Sequence, residues 1–252
     1  MHKGVVVVTG GGRGIGAATA RLLAQSGYGV VVNYAGNVDA ATAVVRDIEH
    51  AGGVAIAVRA DVSDEGEVEH LFAAADRMGG LVGLVNNAGI INGAARVDEM
   101  TGRGLAHLLA VNVIGSFLCA KAAVRRMSTR HGGKGGAIVN LSSGAAKLGA
   151  PGTYVDYAAS KGAIDSFTIG LALEVASEGI RVNAVRPGII DTDFHAAGGD
   201  PERAARMGPS LPMARPGTSD EVAKAILWLL SDEASYTTGT TIAVSGGRAI
   251  QP

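Results

Sequence analysis

Val5-Val6-Val7-Val8-Thr9-Gly10-Gly11-Gly12-Arg13-Gly14-Ile15-Gly16 decides how this chain is read. Four consecutive β-branched residues favour a strand buried on both faces. A glycine-rich turn follows, and helical spacing begins at Ile15. Strand, glycine turn and helix in that order make a cradle for a pyrophosphate. Where side chains are missing the backbone can approach phosphates closely, and the helix N-terminus supplies free N–H groups and partial positive charge. The spacing of Gly10, Gly14 and Gly16 carries little alone, because 38 of the 252 residues are glycine. The strand before it and the helix after it give it weight. A glycine turn that binds nothing is the competing reading.

Outward from this stretch the same alternation continues. Apolar runs at 5–8, 28–33, 54–58, 81–85, 137–141, 180–185 and 240–244 read as strands. Amphipathic runs at 15–26, 38–51, 63 to about 78, 102–130, 156–177 and 219–230 read as helices. The first presents Ala18, Leu22 and Leu23 on one face, and Ser63 is the expected cap of the third. Continuously apolar strands alternating with helices predict an α/β fold: a doubly wound Rossmann-type domain, with a mostly parallel seven-stranded sheet and helices on both faces. No Pro/Ser linker or charge block divides residues 1–252, so a single domain is expected. Residues 191–216, rich in Ala, Gly and Pro, break the rhythm and read as a substrate lid, irregular or briefly helical.

Composition narrows the function. Apolar residues make up 47% and charged residues 18%, which excludes a disordered or coiled-coil chain. The 22 Lys+Arg against 23 Asp+Glu argue against nucleic acid or an anionic membrane as partner. One cysteine fits a reducing compartment. No apolar run approaches the roughly 20 residues of a membrane span, and Thr9–Arg13 cuts the N-terminal run short of a signal-peptide core. A cytoplasmic protein is expected. His2, His50, His70, His107, His131 and His195 show no metal-ligand spacing, so no catalytic metal is expected. Cys119 reads as a small buried apolar residue. Neither Ser142 nor Ser143 sits in a Gly-x-Ser-x-Gly elbow, which argues against a hydrolase.

The run from Thr9 to Gly16 resembles the Thr-Gly-x3-Gly-x-Gly cofactor loop of the short-chain dehydrogenase/reductase family. Asp61-Val62, Asn86-Asn87-Ala88-Gly89, Tyr157-Ala158-Ala159-Ser160-Lys161 and Pro187-Gly188-Ile189-Ile190-Asp191-Thr192 resemble further motifs of that family, in the same order. Together they span nearly the whole chain, and the resemblance extends to members such as 3-oxoacyl-carrier-protein reductases and glucose dehydrogenases. It implies that Gly10, Gly12, Arg13, Gly14, Ile15 and Gly16 hold a nicotinamide dinucleotide and that Asp61 and Val62 contact its adenine. It implies that Asn87, Ala88 and Gly89 lie beside the cofactor and that Pro187, Gly188, Ile190 and Thr192 hold the carboxamide. Tyr157 and Lys161 become catalytic, with Lys161 also binding the nicotinamide ribose. Asn112 becomes a fourth catalytic residue, holding a water that links Lys161 to solvent; an Asn satisfying local backbone is the alternative.

Tyr157 and Lys161 are four apart, on one face of the expected helix. A free phenol is a poor base at pH 7, but a nearby ammonium and an oxidised nicotinamide both favour phenolate, so its pKa is expected to fall. Ser142 and Ser143 follow the fifth strand at its C-terminal end, where open α/β sheets bind ligands. The family's serine often stands 13 residues before the tyrosine, where this chain has Gly144. Ser143 is taken as the residue that orients the substrate oxygen, and Ser142 as one that bonds backbone. The pocket beyond is expected from 144–150, Tyr154, Gly188, Ile189 and the lid; His195 is either a surface residue or a substrate contact.

The second strand ends Asn33-Tyr34, with Tyr34 where NAD-type members carry Asp. Arg13 could reach a 2′-phosphate, with Asn33 and Asn37 as donors, which favours NADP(H) over NAD(H); a solvated Arg13 is the alternative. The expected function is NADP(H)-dependent hydride transfer to or from a secondary alcohol, ketone or aldehyde. Lys121, Arg125, Arg126, Arg130, His131 and Lys134 either stabilise a helix C-terminus or dock an anionic carrier. The second case gives a 3-oxoacyl-carrier-protein reductase. A non-catalytic dinucleotide-binding regulator is the reading of another class. A homotetramer is expected through helices 102–130 and 156–177, where Ala158, Ala159, Gly162, Ala163 and Gly170 either suit close packing between subunits or face the subunit's own core, with 240–252 at a second interface.

Overall fold

The computed structural model describes residues 2–248. Seven strands, β1 (Val5–Val8), β2 (Gly29–Tyr34), β3 (Val54–Arg59), β4 (Leu81–Asn86), β5 (Gly136–Leu141), β6 (Ile180–Pro187) and β7 (Thr241–Val244), form one sheet in the order β3-β2-β1-β4-β5-β6-β7. Every neighbouring pair is parallel. The four-valine strand shows why the sheet is covered twice. Val5 and Val7 enter a core with α3 (Glu65–Met78), α5 (Gly115–Met127) and α7 (Val155–Val175). Val6 and Val8 enter the opposite core with α1 (Gly14–Gln25), α2 (Val38–His50) and α10 (Ser219–Leu230). Strand order reverses between β1 and β4, so the crevice for a ligand lies at their C-terminal ends.

Local details differ from the sequence reading. Helix α1 buries Gly16, Ala17, Thr19, Ala20, Leu23 and Ala24, with Ala18 and Leu22 only half-buried, so the expected apolar face is turned towards Thr19 and Ala20. Asp64, not Ser63, caps α3: its carboxylate accepts from Glu67 N at 2.8 Å, while the Ser63 hydroxyl donates to Asp61 at 2.7 Å. Helix α10 carries the expected cap as a Thr218–Glu221 capping box.

Residues 102–127 form one helical run: α4 (Gly102–Leu109), a π turn (Ala110–Ile114) and α5. By length and composition it is the one run among the described residues that could cross a membrane, and it is instead a layer of this fold. Cys119, Ala120, Ala122, Ala123 and Met127 face the core. The basic face is paired with α3: Lys121 with Glu65 at 2.5 Å, Arg125 with Glu69 at 3.5 Å and Arg126 with Asp76 at 2.9 Å. These cross-helix pairs, which neither sequence reading of the basic run had included, hold three of its cations against a neighbouring helix.

Short elements border the site: α6 (Ala145–Leu148) after β5, and α8 (Phe194–Ala197) and α9 (Arg203–Met207) with a 3-10 turn (Gly208–Ser210) in the 191–216 segment. Asp191 N donates to Gly217 O and Gly217 N to Ile189 O, both at 2.9 Å, closing the neck of that segment. Ile189, Ala204 and Leu211 pack with Met207 in a small core of their own. Residues 249–252 of the expected second interface lie outside the described residues.

Candidate active site

A cavity of about 580 Å³ runs along the C-terminal ends of the central strands. Gly10, Gly12, Arg13, Tyr34 and Asp61 line one end; Tyr154, Phe194, His195, Arg203 and Arg248 line the other.

The glycine loop is built for close approach. Gly10 and Gly14 have φ of +60° and +52°, in the left-handed region. A Cβ on Gly16 would stand 2.4 Å from Gly10 O and 2.5 Å from Asn87 Nδ2, so only glycine fits there. Thr9 ties the loop to β4: its hydroxyl accepts from Asn87 N and Ala88 N, both at 3.0 Å, and donates to Val85 O at 3.2 Å. Asn87 Nδ2 donates to Thr9 O and Gly10 O at 2.8 and 3.0 Å. Thr192 meets the loop from above: a Cβ on Gly14 would be 3.4 Å from its methyl group. Gly188 packs on Ser245, whose Cα would lie 2.8 Å from an added Cβ.

At the other nucleotide-facing positions, Asn33 departs from expectation. It is buried, accepts from Gly10 N at 3.2 Å and donates to Ala60 O at 2.9 Å, so it braces the loop rather than offering donors outward. Asn37 accepts from Ala40 N at the cap of α2 and remains exposed, as does Arg13. Hydrogen bonds from the Ser63 backbone and hydroxyl hold the Asp61 carboxyl below its usual range. Val62 is buried against Gly115, where the helix has no side chain to oppose it. Asn86 donates to Asn140 and Asn140 to Thr168, both at 2.9 Å, so a polar chain crosses from β4 through β5 to α7.

The candidate catalytic groups meet at the middle of the cavity. Ser143, Tyr157 and Lys161 all line it. The Ser143 hydroxyl accepts from Ala145 N at 3.1 Å and stands close enough to the Tyr157 phenol to favour its ionised form. Ser142 is buried, its hydroxyl directed at Lys161 O at 3.4 Å. Lys161 is buried; its Nζ donates to Leu141 O at 2.7 Å and lies 5.7 Å from the centre of the Tyr157 ring. Burial pushes the amine down to about 8, opposed by Asp165. Burial pushes the phenol up to about 12, more than Ser143 lowers it. The expected fall in the phenol's pKa therefore does not come from the protein's own groups, because desolvation outweighs them.

Asn112 sits in the π turn, a helical irregularity common at functional sites. Its side chain accepts from Ile90 N at 2.8 Å and donates to Ile90 O at 2.9 Å and Ser160 Oγ at 3.1 Å. Ser160 in turn donates to Tyr157 O at 2.7 Å. The Asn112 side chain thus braces backbone on both sides of the cavity, and its main-chain carbonyl accepts from Ser116.

Phe194, Arg203 and Arg248 line the cavity; the first two belong to the expected lid without having been singled out, and sequence reasoning missed the third. The first two lie in an aperiodic segment and the third follows the last strand, so no pattern marks them. His195 is half-buried, bonded to Ile190 O at 3.0 Å, and burial pushes its imidazole down. Among the described residues no group of three His, Cys, Asp or Glu could hold a metal ion.

The family model described as enoyl-(acyl carrier protein) reductase matches residues 10–249. A short-chain dehydrogenase/reductase variant from Serratia marcescens superposes with a TM-score of 0.89 at 32% identity, over 98% of each chain. This chain belongs to the short-chain dehydrogenase/reductase family. It is 55% identical to an uncharacterized oxidoreductase, YgfF, of Escherichia coli K12, over 97% of this chain and 99% of that one. It is 43% identical to a 3β-hydroxysteroid dehydrogenase of Eggerthella lenta, over 98% and 94%. As a member it is an oxidoreductase of alcohol and carbonyl groups with a nicotinamide cofactor. Gly16, where a Cβ is excluded, and the cavity that Gly10, Gly12 and Gly14 line beside it fit such a dinucleotide.

Proposed function

We propose that this enzyme transfers hydride between NADP(H) and a secondary alcohol, ketone or aldehyde, with Ser143, Tyr157, Lys161 and Asn112 as its working residues. The carrying observation is that Ser143, just after β5, and Tyr157 and Lys161 on α7 line one cavity with the glycine cradle. When bound, the nicotinamide supplies or accepts the hydride. Ser143 hydrogen-bonds the substrate oxygen, and Tyr157 gives it a proton in reduction or takes one in oxidation. The buried ammonium of Lys161 favours phenolate at Tyr157 and binds the nucleotide ribose. Asn112 keeps Ile90 and the Tyr157 turn in register, and a water on its side of the cavity would relay protons to Lys161. Gly10, Gly12, Gly14, Ile15 and Gly16 hold the pyrophosphate, Asp61 and Val62 the adenine, Asn87, Ala88 and Gly89 the adjoining ribose face, and Pro187, Gly188, Ile190 and Thr192 the carboxamide.

NADP(H) is favoured because Tyr34 ends β2 where an acid would repel a 2′-phosphate, while Arg13 and Asn37 are exposed beside it. A carrier-linked 3-oxoacyl substrate is the weaker reading, since the basic run that would dock the carrier is paired with α3. Residues 191–216 act as the lid of a single-domain, cytosolic enzyme. A homotetramer accounts for the apolar exposure of Phe117, Ile169 and Leu173 on α5 and α7, at 49%, 51% and 78%. Added Cβ atoms on Gly162 and Gly170 would meet nothing, so these positions leave room for a facing helix.

The test is Tyr157→Phe against a ketone and aldehyde panel, following NADPH absorbance. Turnover should fall at least a thousandfold while NADPH binding persists. Undiminished turnover refutes the mechanism; tight NADPH binding with no turnover by the native enzyme favours a non-catalytic regulator.

A further inference from the structure

The geometry points to an anion-recognition subsite at the far end of the cavity, formed by Arg203 and Arg248, which selects alcohol or carbonyl substrates carrying an oxyanion group. It builds on the oxidoreductase reading above and names its substrate class.

Arg203 lies over the ring of Tyr154, 5.3 Å from its centre, with its side chain one-fifth exposed at 20%. The Tyr154 ring is held in place by its hydroxyl, which donates to Gly198 O at 3.1 Å. Tyr154 precedes Tyr157 by three residues, about one helical turn, and the Tyr157 ring rests against Phe194 at 5.7 Å. Arg203 therefore borders the pocket about one turn beyond the phenol. Arg248 arrives from the stretch after β7: Gly188 N donates to Val244 O at 3.0 Å, which sets residues 245–248 beside the expected carboxamide position. Both guanidinium-bearing side chains line the cavity.

The surrounding charges counter them only in part: Arg203 is ion-paired with Asp200, which Arg206 shares, and Arg248 has no ion pair among the described residues. Among the described residues neither guanidinium donates a hydrogen bond. Asp200 stands 3.6 Å from Arg203, but Arg206 holds both its oxygens, at 2.8 and 2.5 Å. The other titratable groups at this end are His195, bonded to Ile190 O, and the exposed Asp193. Burial and the charge of Arg203 together push Arg248 below its ordinary value, and Arg203 also pushes His195 down. Like charges in a partly desolvated wall repel, and an oxyanion between them turns that repulsion into attraction. The guanidinium fork matches carboxylate and phosphate oxygens in geometry. Ile91, Leu148 and Phe194 supply apolar surface around the subsite, so the charge is localised. The nucleotide's own phosphates belong to the glycine loop at the other end.

The test uses substrate pairs that differ only in the anion: 4-oxopentanoate and its methyl ester, and dihydroxyacetone phosphate and dihydroxyacetone. In at least one pair the acid should exceed its neutral partner in kcat/KM by about tenfold or more, mainly through KM, as expected for charge-assisted hydrogen bonds. Response of the first pair alone assigns a carboxylate, and of the second alone a phosphate. In the Arg203→Gln/Arg248→Gln double variant the ratio should fall to near one, with an unaltered NADPH dissociation constant showing that the variant is folded. Calorimetric titration of the two acids into NADP-saturated native and double-variant enzyme gives a readout independent of turnover. Acid binding by the native enzyme that the variant loses supports the subsite even if no compound turns over, in which case only the oxidoreductase reading fails. Equal binding by both proteins, no acid binding by the native enzyme, or an unchanged acid-to-neutral ratio overturns the subsite.

Discussion

The Nζ of Lys161 donates to the main-chain carbonyl of Leu141 at 2.7 Å, two residues before Ser143. One hydrogen bond thus ties helix α7, which carries the phenol, to the end of β5, just before the segment that carries the serine. Its donor is an amine that burial holds down to about 8 against an ordinary value of 10.5. Between those two pH values the unfolded chain keeps a proton that the folded chain has lost, so stability rises with pH across that window. The change is on the order of 3 kcal/mol. Urea unfolding of the native protein and of Lys161→Met should show the native protein gaining by that order from pH 7 to 10.5. A difference that stays flat over the same range contradicts the buried, depressed amine.

Thr9 offers one hydroxyl to two backbone donors, Asn87 N and Ala88 N, each at 3.0 Å. Thr9→Val keeps the shape but strands Ala88 N, while Asn87 N keeps its second acceptor, Val85 O at 3.0 Å, so the change should cost about 1–3 kcal/mol. Thr9→Ser should restore most of that. Chemical denaturation reads the stability, and fluorescence titration should show weakened NADPH binding in the valine variant only.

Asn112 is completely buried and answers both polar groups of Ile90. Asn112→Ala removes both partners and leaves Ser160 without its donor. A loss of about 2–4 kcal/mol should lower the melting temperature by roughly 5–15 °C for a chain of this size. Calorimetry that finds the two proteins equally stable would mean the side chain does not brace this junction.

Arg13 is exposed at the mouth of the glycine loop. Arg13→Glu should weaken NADPH by about tenfold or more through charge reversal near the 2′-phosphate, while NADH changes little. Equal losses for the two nucleotides, measured by equilibrium titration, would remove the basis for NADP selectivity.

Most of the architecture was legible in the sequence because the strands are short apolar runs rich in β-branched residues, the first ended by Thr9 and three glycines. The doubly wound arrangement follows from strands such as Val5–Val8 that are apolar on both faces. The glycine loop was legible in position, and the structure adds the reason for Gly16, whose Cβ would collide with Gly10 O. What stayed hidden depends on distance in sequence. The inward turn of Asn33 rests on partners 23 and 27 residues away. The pairing of Arg126 with Asp76 spans 50 residues. The π turn at Asn112 leaves no periodic mark, since five residues of wider helix disturb an amphipathic pattern too little to register. Arg203 lies in a segment whose order comes from its neck and its own small core rather than from periodicity.

The paired hydrogen bonds between Ile189, Asp191 and Gly217 have a consequence for how this scaffold can diversify. With its two ends clasped, the intervening stretch behaves as a cassette whose interior length is decoupled from the strands. Lengthening a flexible loop twofold adds only about 0.6 kcal/mol of closure entropy. Grafting the corresponding stretch of a relative between Asp191 and Gly217 should therefore leave the melting temperature within a few degrees while redrawing which molecules are accepted, making that clasp the hinge-pin of substrate turnover in evolution.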